Sequence, residues 1–460
     1  MRHLFCCILL SIALTSGAKD ITVNTANRAQ TIEGWGVSLC WWAHMCGTWS
    51  DESIDEIIDW LVSPEGLNYN IFRYNIGGGD DPLNRHCDKH HMGKGKGLRA
   101  EMPGFKVYPD SPYDWDADSA QIKIMCKIKE RRPDAIFEAF SNSCPWWMTV
   151  SGCCGGNADA AKDNLRKDCY DDFARYLVDV CIHIKATYGI EFRTLEPFNE
   201  SLSNYWPQNG SQEGCHFDAD TQVAVIKLLH EELQKSGLQT VIAASDETSL
   251  EHSLNAFNAY GEALSLVGQW NTHTYGATDE QRAELRDKAK AAGIRLWQSE
   301  TGSGGKGIDG NLKMLQRLFD DVKIMQPAAW CDWQYMEEKG DQWCMINGNW
   351  EKEEYQKVKS FFVRQHVSKF IRQGYTILNI DDPHTLAALS SDGNTVVLVT
   401  INNSDSPVSK TYLLPEGFIA SEEYLTDSSH NMTSTPLSFD DRLTITCPSQ
   451  SVKTILSHKK

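Results

Sequence analysis

The chain has 460 residues, more than one ordinary domain and enough for a barrel with an appended unit. Hydrophobic residues make up 41% and charged residues 23%, a globular composition that excludes a disordered chain. The net charge of −18 argues against a nucleic-acid partner or an anionic membrane surface, and it suits a neutral substrate.

The N-terminus predicts a cleavable secretory signal over residues 1–18. Arg2 and His3 precede an apolar run at residues 4–14, and small residues at 16–18 suit cleavage. The run is too short to span a bilayer, and no other stretch is apolar enough to do so. We therefore expect a secreted or periplasmic protein without a membrane span.

The 15 cysteines bear on the redox state of the protein. Cys6 and Cys7 lie in the predicted signal, so an odd number remains and at least one thiol is free. Export makes disulfides possible, and a zinc site is the alternative, although paired C-x-x-C units are missing. The best candidate region contains Cys144, Cys153, Cys154 and Cys169.

Apolar strands alternate with helical periodicity through the first three quarters of the chain. Strands are predicted to begin near residues 32, 70, 135, 192, 240, 269, 294 and 328. Helices are predicted at residues 51–62, 119–131, 168–187, 220–236, 252–264, 278–292 and 309–325. Such alternation favours parallel strands, and eight of them predict an α/β fold, a (β/α)8 TIM barrel.

Residues 80–118 interrupt this alternation with a polar stretch rich in Gly, His, Lys and Pro, which predicts a long loop over one end of the barrel. A metal would suit four side chains in this loop, but such residues in a loop are more often solvated. These are His86, Cys87, His90 and His91. We expect no metal and no cofactor.

From residue 366 the chain changes to short strands, which predict an appended all-β sandwich. They fall at residues 376–378, 385–389, 395–400, 410–414 and 451–456. The segment 19–31 precedes the barrel and needs a strand partner, so we expect it to join this side domain. The predicted domains are thus a signal at 1–18, a joining strand at 19–31, a catalytic barrel at 32–365 and a β-sandwich at 366–460.

Two of the barrel strands end in a glutamate. Residues 191–200 form a short apolar strand that stops at Pro197 and delivers Asn199 and Glu200, and residues 294–300 end in Glu300 before a Gly-rich loop. Working residues of a TIM barrel sit at the C-terminal ends of its strands, so both carboxylates fall on one face. Two such carboxyl groups are the smallest set of catalytic side chains that glycoside hydrolysis requires.

The order and spacing of several short motifs resemble glycoside hydrolase family 30, whose retaining enzymes have a (β/α)8 barrel and a side β-domain built from both chain ends. The resemblance covers nearly the whole predicted mature chain. Its motifs are GWG at 34–36, RYNIGGG at 73–79, SCPWWM at 143–148, EPFNE at 196–200, HTY at 273–275 and QSE at 298–300. Within the family, residues 38–43 (SLCWWA) are most similar to the endo-β-1,6-galactanase branch.

The resemblance implies a double displacement in which Glu300 is the nucleophile and Glu200 the acid/base. The alternative for each glutamate is a carboxylate that caps a helix or has a purely structural role. Glu138 and Glu196 are competing candidates for the catalytic carboxylates, but they rank lower because they lie earlier on their strands, where their side chains would sit deeper in the barrel.

The neighbouring polar residues complete the predicted substrate site. We expect Asn199 to bond the sugar 2-hydroxyl and His273 to contact the substrate. Arg73 and Tyr275 are expected to hold Glu300 ionised, since a nearby cation favours the charged form. A structural ion pair is the alternative for Arg73.

Tryptophans in or near strand-end loops are candidates for stacking on sugar rings, and burial in the core is the alternative for each. Of the adjacent Trp41 and Trp42, one is expected to face the core. The candidates are Trp42, Trp147, Trp206 and Trp333.

The expected substrate is a β-1,6-linked galactan, such as arabinogalactan side chains, bound by a monomeric enzyme. One alternative is another β-glycosidase of the family, acting on β-1,6-glucan, fucosides or xylosides. The other is a non-catalytic carbohydrate-binding protein. Having both Glu200 and Glu300 weighs against that alternative, because a binding module needs neither.

Overall fold

The structure is a computed structural model that describes residues 20–83, 85, 102–208, 210–338, 340 and 342–460. The predicted signal at residues 1–18 lies outside the described residues, as do His86, Cys87, His90 and His91. Within the described ranges, no helix has both the length and the apolar character needed to cross a membrane.

Eight parallel strands close into a barrel, which confirms the predicted TIM-barrel fold. Each strand pairs with its neighbours in chain order, and the eighth closes on the first through the register Ala329 to Gly34. In chain order, barrel strands one to eight are Gly34–Ser38, Ile71–Asn75, Ile136–Phe140, Thr194–Glu196, Val241–Glu247, Val267–His273, Arg295–Glu300 and Ala329–Asp332.

Amphipathic helices cover the outside of the barrel. Asp51–Val62 shows why: Ser50 caps its start by accepting from the backbone N–H of Ser53, and apolar residues at helical spacing are buried. The helices are Trp42–Cys46, Asp51–Val62, Ser119–Arg131, Tyr170–Tyr188, Ala219–Ser236, Leu250–Ala259, Asp279–Ala292, Gly307–Asp320 and Lys359–Ser368.

Two predicted helices are shorter than expected. The helix predicted over 252–264 ends at Ala259, and a 3₁₀ turn over Gly261–Leu266 leads into barrel strand six. The helix predicted over 309–325 ends at Asp320, and one π-helical turn over Asp321–Met325 follows. Apolar periodicity does not distinguish these tighter and wider turns from an α-helix.

After barrel strand eight, a small three-stranded sheet contains Met336–Glu338, Ile346–Asn349 and Glu354–Lys357. The other strands form an all-β region beside the barrel, as the sequence predicted. A seven-stranded sheet has the order Thr433–Phe439, Phe418–Thr426, Ser451–Lys459, Thr395–Asn402, Thr385–Leu389, Thr376–Leu378 and Arg28–Thr31. A three-stranded sheet contains Ile21–Thr22, Val408–Leu413 and Arg442–Cys447. Strands near the N-terminus thus pair with strands near the C-terminus in both sheets.

Three strands of this region escaped sequence prediction, namely Phe418–Thr426, Thr433–Phe439 and Arg442–Cys447. The middle one is almost wholly exposed and contains Pro436, which suits an edge strand because proline donates no ladder hydrogen bond. Such a strand carries no clear alternation of apolar and polar residues. The exact domain boundaries stay a prediction.

Within the predicted disulfide region, Cys153 is disulfide-bonded. Cys144 and Cys169 are free and buried. Cys154 is buried as well. Burial raises the pKa of the Cys144 thiol well above its usual range, so this side chain is a neutral, packed group.

A buried histidine joins the barrel to the seven-stranded sheet. His366 lies on helix Lys359–Ser368, with Nδ1 2.8 Å from Thr454 Oγ1 and Nε2 2.9 Å from Thr426 Oγ1. Burial lowers the pKa of His366 to about 3, so the ring stays neutral in the folded protein.

This histidine gives a pH-dependent contribution to stability. An unfolded histidine takes up a proton below a pKa of about 6.5, whereas folded His366 does not until about pH 3. Stability is therefore lost as pH falls through that window, by up to about 1.4 kcal/mol per pH unit. We expect the free energy of unfolding of His366→Gln to fall less steeply than that of the wild type. Denaturant titrations from about pH 7 to about pH 4 measure this, and a difference that stays constant with pH would contradict it.

Candidate active site

Glu200 and Glu300 come together at the C-terminal end of the barrel. One carboxylate oxygen of each, together with a ring nitrogen of His273, lie within 4.8 Å of one another. Glu200 is 8% exposed and Glu300 5% exposed, so each presents only a small surface to solvent. A reacting atom can therefore meet both carboxylates in a largely dehydrated site.

The backbone turn that presents Glu200 follows directly from the local sequence. Barrel strand four ends at Glu196, because Pro197 cannot donate to a sheet. Glu200 then adopts a left-handed conformation with φ of 50°, which is unfavourable for a side-chain-bearing residue. Its N–H donates to Asp246 O at 2.8 Å, and Trp206 Nε1 donates to its carbonyl oxygen at 3.0 Å. These two bonds stabilise the turn.

The residues after Glu200 are fixed by a buried carboxyl group on barrel strand five. Glu247 accepts from Ser201 Oγ at 2.9 Å and from the Leu202 N–H at 2.9 Å. Burial raises the pKa of Glu247 to about 7, against the effect of these donors. Strand five therefore holds the Glu200 turn from both sides, through Asp246 and Glu247.

Glu300 ends barrel strand seven and is approached by three donors. Tyr275 OH donates to Oε1 at 3.2 Å, His273 Nδ1 lies 3.6 Å from the same oxygen, and Arg73 Nη1 lies 3.8 Å from Oε2. Arg73 and Tyr275 therefore both lie beside Glu300, and their expected role in holding it ionised stays a prediction.

Arg73 is fully buried at the centre of an ion-pair network. Its Nε donates to Glu138 Oε1 at 2.8 Å, its Nη2 forms an ion pair with Asp246, and its Nη1 donates to Ser299 O at 3.1 Å. Burial lowers the pKa of Arg73, but the charges of Asp246, Glu138 and Glu300 outweigh that effect and raise it. The guanidinium is a permanent positive charge beside Glu300.

His273 lies between the two glutamates rather than on an outer wall of the site. Its Nδ1 is 3.1 Å from Glu200 Oε1, and its Nε2 is 3.3 Å from Asp246 Oδ1. Burial lowers the pKa of His273, but the charges of Glu300 and Asp246 and the bond to Glu200 raise it well above its usual value. The surroundings therefore favour the protonated ring, whose Nδ1 hydrogen-bonds to Glu200 and whose Nε2 lies within ion-pair distance of Asp246.

The pKa values of Glu200 and Glu300 are shifted in opposite directions. Burial acts to raise the pKa of Glu200, but the hydrogen bonds from His273 and Tyr205 prevail and lower it. Burial and the charge of Glu200 raise the pKa of Glu300 to about 7, against the opposing charges of His273 and Arg73. In the unliganded protein, these contacts thus favour a proton on Glu300 over one on Glu200.

The structure corrects the expectation for Trp42. Its indole is fully buried on helix Trp42–Cys46, where Nε1 donates to Ser38 O at 2.9 Å and the ring packs edge-on against Tyr335. No face remains for a sugar. Its neighbour Trp41 instead packs edge-on against Trp333 at 6.0 Å, and its buried Nε1 finds no partner among the described residues.

The other candidate tryptophans differ in how much of the ring is available. Trp206 is buried and supports the Glu200 turn, and Gly214 gives it room, because a Cβ there would lie 2.0 Å from the indole. Trp147 is also buried, with Nε1 donating to Lys106 O at 3.0 Å. Trp333 is partly exposed.

Two deeper carboxyl groups and one amide complete the interior. Glu138 and Glu196 have no exposed surface, and burial raises the pKa of Glu196 well above its usual range. Asn199 lies beside Glu200, and its buried Oδ1 finds no hydrogen-bond partner among the described residues. That oxygen is thus an unsatisfied hydrogen-bond acceptor next to Glu200 in the sequence.

Sequence reasoning missed three residues of this site. Asp246 lies near the end of barrel strand five, without any motif that marks it as part of the network. Tyr205 is 46% exposed and donates to Glu200 Oε2 at 2.7 Å, and Trp343 is 41% exposed with its ring 6.4 Å from Tyr275. The aromatic pair five residues after Glu200 was a usable signal for Tyr205, whereas Trp343 lies 43 residues beyond Glu300 in the sequence.

A TIM barrel with two strand-end carboxylates in one dehydrated site defines an enzyme of the glycoside hydrolase class. A model of O-glycosyl hydrolase family 30 matches residues 18–272. The chain is 32% identical over 398 residues to an endo-β-1,6-galactanase of Hypocrea rufa, which covers 83% of this chain and 81% of that protein. The chain belongs to glycoside hydrolase family 30.

More distant relatives differ in their named activities. An exo-β-1,6-galactobiohydrolase of Bifidobacterium longum subsp. longum is 26% identical over 407 residues, covering 67% of this chain but 26% of that protein. A conserved exported protein from Bacteroides fragilis superposes with a TM-score of 0.81 at 21% identity, covering 95% and 100% of the two chains. A family 30 subfamily 8 xylanase from Clostridium acetobutylicum gives 0.71 at 21% identity, covering 95% and 99%. These structures share the fold.

The network predicts a large effect for Asp246→Asn. Losing this charge leaves Arg73 and His273 without a shared partner, so we expect kcat/KM to fall by about 100-fold or more while the barrel still folds. Steady-state kinetics and circular dichroism measure the two effects. Asp118→Asn is the matched control, because Asp118 is equally buried and hydrogen-bonded but lies outside the site. Equal losses of kcat/KM in both variants would contradict the prediction.

Proposed function

We propose that this enzyme hydrolyses β-1,6-linked galactan with retention of configuration, using Glu300 as nucleophile and Glu200 as acid/base. The close approach of one oxygen from each carboxyl group is the observation that supports the mechanism. Retaining enzymes place them about 5–5.5 Å apart, whereas inverting enzymes need about 6.5–9.5 Å to admit a water molecule. An approach of oxygens within 4.8 Å supports the retaining class.

The substrate is proposed from the relative with the highest identity among those described above. This relative is the Hypocrea rufa endo-β-1,6-galactanase, which is 32% identical over most of both chains. The acidic chain suits a neutral polysaccharide. A predicted signal at residues 1–18 would deliver the enzyme to such a substrate outside the cell.

Two displacements at the anomeric carbon make up the proposed reaction. A Glu300 oxygen attacks this carbon as its bond to the leaving oxygen breaks, and Glu200 gives its proton to that oxygen. A water molecule then attacks the same carbon, Glu200 takes the proton of that water, and the Glu300 carboxylate leaves. The unpartnered Oδ1 of Asn199 is proposed to accept from the sugar 2-hydroxyl.

The reaction requires the shared proton on Glu200, whereas the unliganded contacts favour Glu300. In the proposed reaction the proton moves to Glu200 when substrate binds, where a glycosidic oxygen can accept a hydrogen bond from it. Positive charge developing at the anomeric carbon also favours ionised Glu300. His273 Nδ1 lies between oxygens of both glutamates, where it can stabilise either distribution of the proton.

The first test is a product assay with β-1,6-galactan, β-1,6-glucan and xylan. We expect galactose oligomers from the wild type, and a loss of about 10²–10⁴-fold in Glu200→Gln, with comparable or larger loss in Glu300→Gln. Glu196→Gln is the matched control, because it replaces a buried neutral carboxyl group by an amide of the same shape and should retain most activity. Hydrolysis of another glycan would contradict the proposed substrate but leave the proposed mechanism intact.

The two roles are separated by azide rescue of alanine variants with an activated aryl glycoside. Azide replaces the missing nucleophile in Glu300→Ala and gives an α-glycosyl azide. In Glu200→Ala it attacks the glycosyl-enzyme intermediate and gives a β-glycosyl azide. The reverse pattern of products would exchange the two assignments, and inverted product in the wild type by NMR would reject the retaining mechanism.

The shared proton also predicts the pH dependence of kcat/KM. The reactive form of the free enzyme carries one proton on the pair, which is lost as pH rises through about 7. We therefore expect kcat/KM to fall about tenfold per unit above that value. The lowered pKa of Glu200 keeps the acid limb below the usual carboxyl range. An alkaline limb that survives in Glu200→Gln and Glu300→Gln alike would assign the titration to another group.

A further inference from the structure

Two exposed aromatic rings are connected to the carboxyl pair from different sides. Tyr205 OH donates to Glu200 Oε2 at 2.7 Å, and Tyr275 OH donates to Glu300 Oε1 at 3.2 Å. The ring of Trp343 lies 6.4 Å from the ring of Tyr275. Tyr205 thus contacts Glu200, and Trp343 contacts Glu300 through Tyr275. The two glutamates lie between the two exposed rings in this chain of contacts.

The position of each ring is fixed, although a large part of each is open to solvent. The Tyr205 ring packs edge-on against buried Trp206 at 4.9 Å, and the rest of its surface leaves it 46% exposed. Trp343 lies in the loop between strands Met336–Glu338 and Ile346–Asn349 and is 41% exposed. Rigid, amphipathic rings bind with little loss of conformational entropy.

Trp343 is also coupled to the loop that follows Glu300. A Cβ added at Gly302 would lie 2.5 Å from Trp343 Cε3, so only glycine lets the indole approach the backbone this closely. The distance from the indole to the end of barrel strand seven is therefore set by direct packing. Single exposed hydrophobic side chains are common on protein surfaces, but Trp343 packs against the loop that directly follows Glu300.

We propose that Tyr205 and Trp343 are sugar-stacking platforms on the two sides of the scissile bond, so that the enzyme binds an internal stretch of a β-linked chain and cleaves within it. The proposal rests on the proposed function and extends it from the reacting residues to the mode of attack. Tyr205 lies beside the acid/base and therefore holds the leaving-group side. Trp343 lies on the Glu300 side and holds the part of the chain that is transferred to the enzyme.

The mode of attack is measured by following products from β-1,6-galactan during the first turnovers. Binding on both sides predicts a rapid fall in chain length and a mixture of oligomers. A single short product from the first turnovers would overturn the inference while leaving the proposed function intact. If another glycan proves to be the substrate, the proposed substrate fails and the same comparison on that glycan still tests the inference.

Variants test the two platforms separately. We expect Trp343→Ala to raise KM for oligosaccharides by about tenfold, with a smaller effect on an aryl monoglycoside, and Trp343→Phe to restore much of the loss. Phe439→Ala is the matched control, since Phe439 is 45% exposed but lies on an edge strand of the seven-stranded sheet. Equal effects of Trp343→Ala on both substrates would overturn the platform role and indicate a loosened Glu300 loop.

For Tyr205, the ring and the hydroxyl group are separated by two substitutions. Tyr205→Phe retains the ring but loses the donor to Glu200, so KM stays close to wild type while the acid limb of the pH profile moves to higher pH. Tyr205→Ala should raise KM for oligosaccharides as well. If the two variants have the same KM, the ring does not bind sugar and the platform on this side is rejected.

Discussion

The burial of one positive charge constrains the whole interior of this barrel. Arg73 has no exposed surface, and removing a guanidinium from water costs several kcal/mol unless it is paired and hydrogen-bonded. Its partners are Glu138 on strand three, Asp246 on strand five and the Ser299 carbonyl on strand seven. A side chain from strand two thus cross-links three other strands, and the same charge acts on Glu300.

The distances of the donors explain where the shared proton sits before substrate arrives. Glu200 receives two close donors, Tyr205 at 2.7 Å and His273 at 3.1 Å. The donors to Glu300 are farther away, at 3.2, 3.6 and 3.8 Å. A short hydrogen bond to the charged form favours that form more than a distant charge does, so Glu200 ionises first. In the unliganded state the proton therefore favours Glu300. The proposed reaction needs it on Glu200 once a sugar is bound.

The sequence predicted most of the architecture because barrel strands and helices differ in the period of their apolar residues. It also located Glu200 and Glu300, since strand ends in a barrel converge on one face. It was wrong for Trp42 because adjacent residues on a one-turn helix point in different directions, and only packing decides which one is buried. Trp343 was missed because its closeness to Glu300 depends on a loop that folds back over Gly302.

The turn at Glu200 is hydrogen-bonded to barrel strand five, so the ends of strands four and five are positioned together. Both Glu200 and Asp246 have left-handed backbones, with φ of 50° and 55°, and the N–H of the first donates to the carbonyl of the second. Such conformations persist where the surroundings over-determine them, and they cluster at functional sites. Because Asp246 also contacts Arg73 and His273, a displacement of strand five would move the acid/base, the imidazolium and the guanidinium together. The position of Glu200 is therefore a property of this shared turn. Ser299 Oγ also donates to Asp246, so the residue before Glu300 is tied to the same turn.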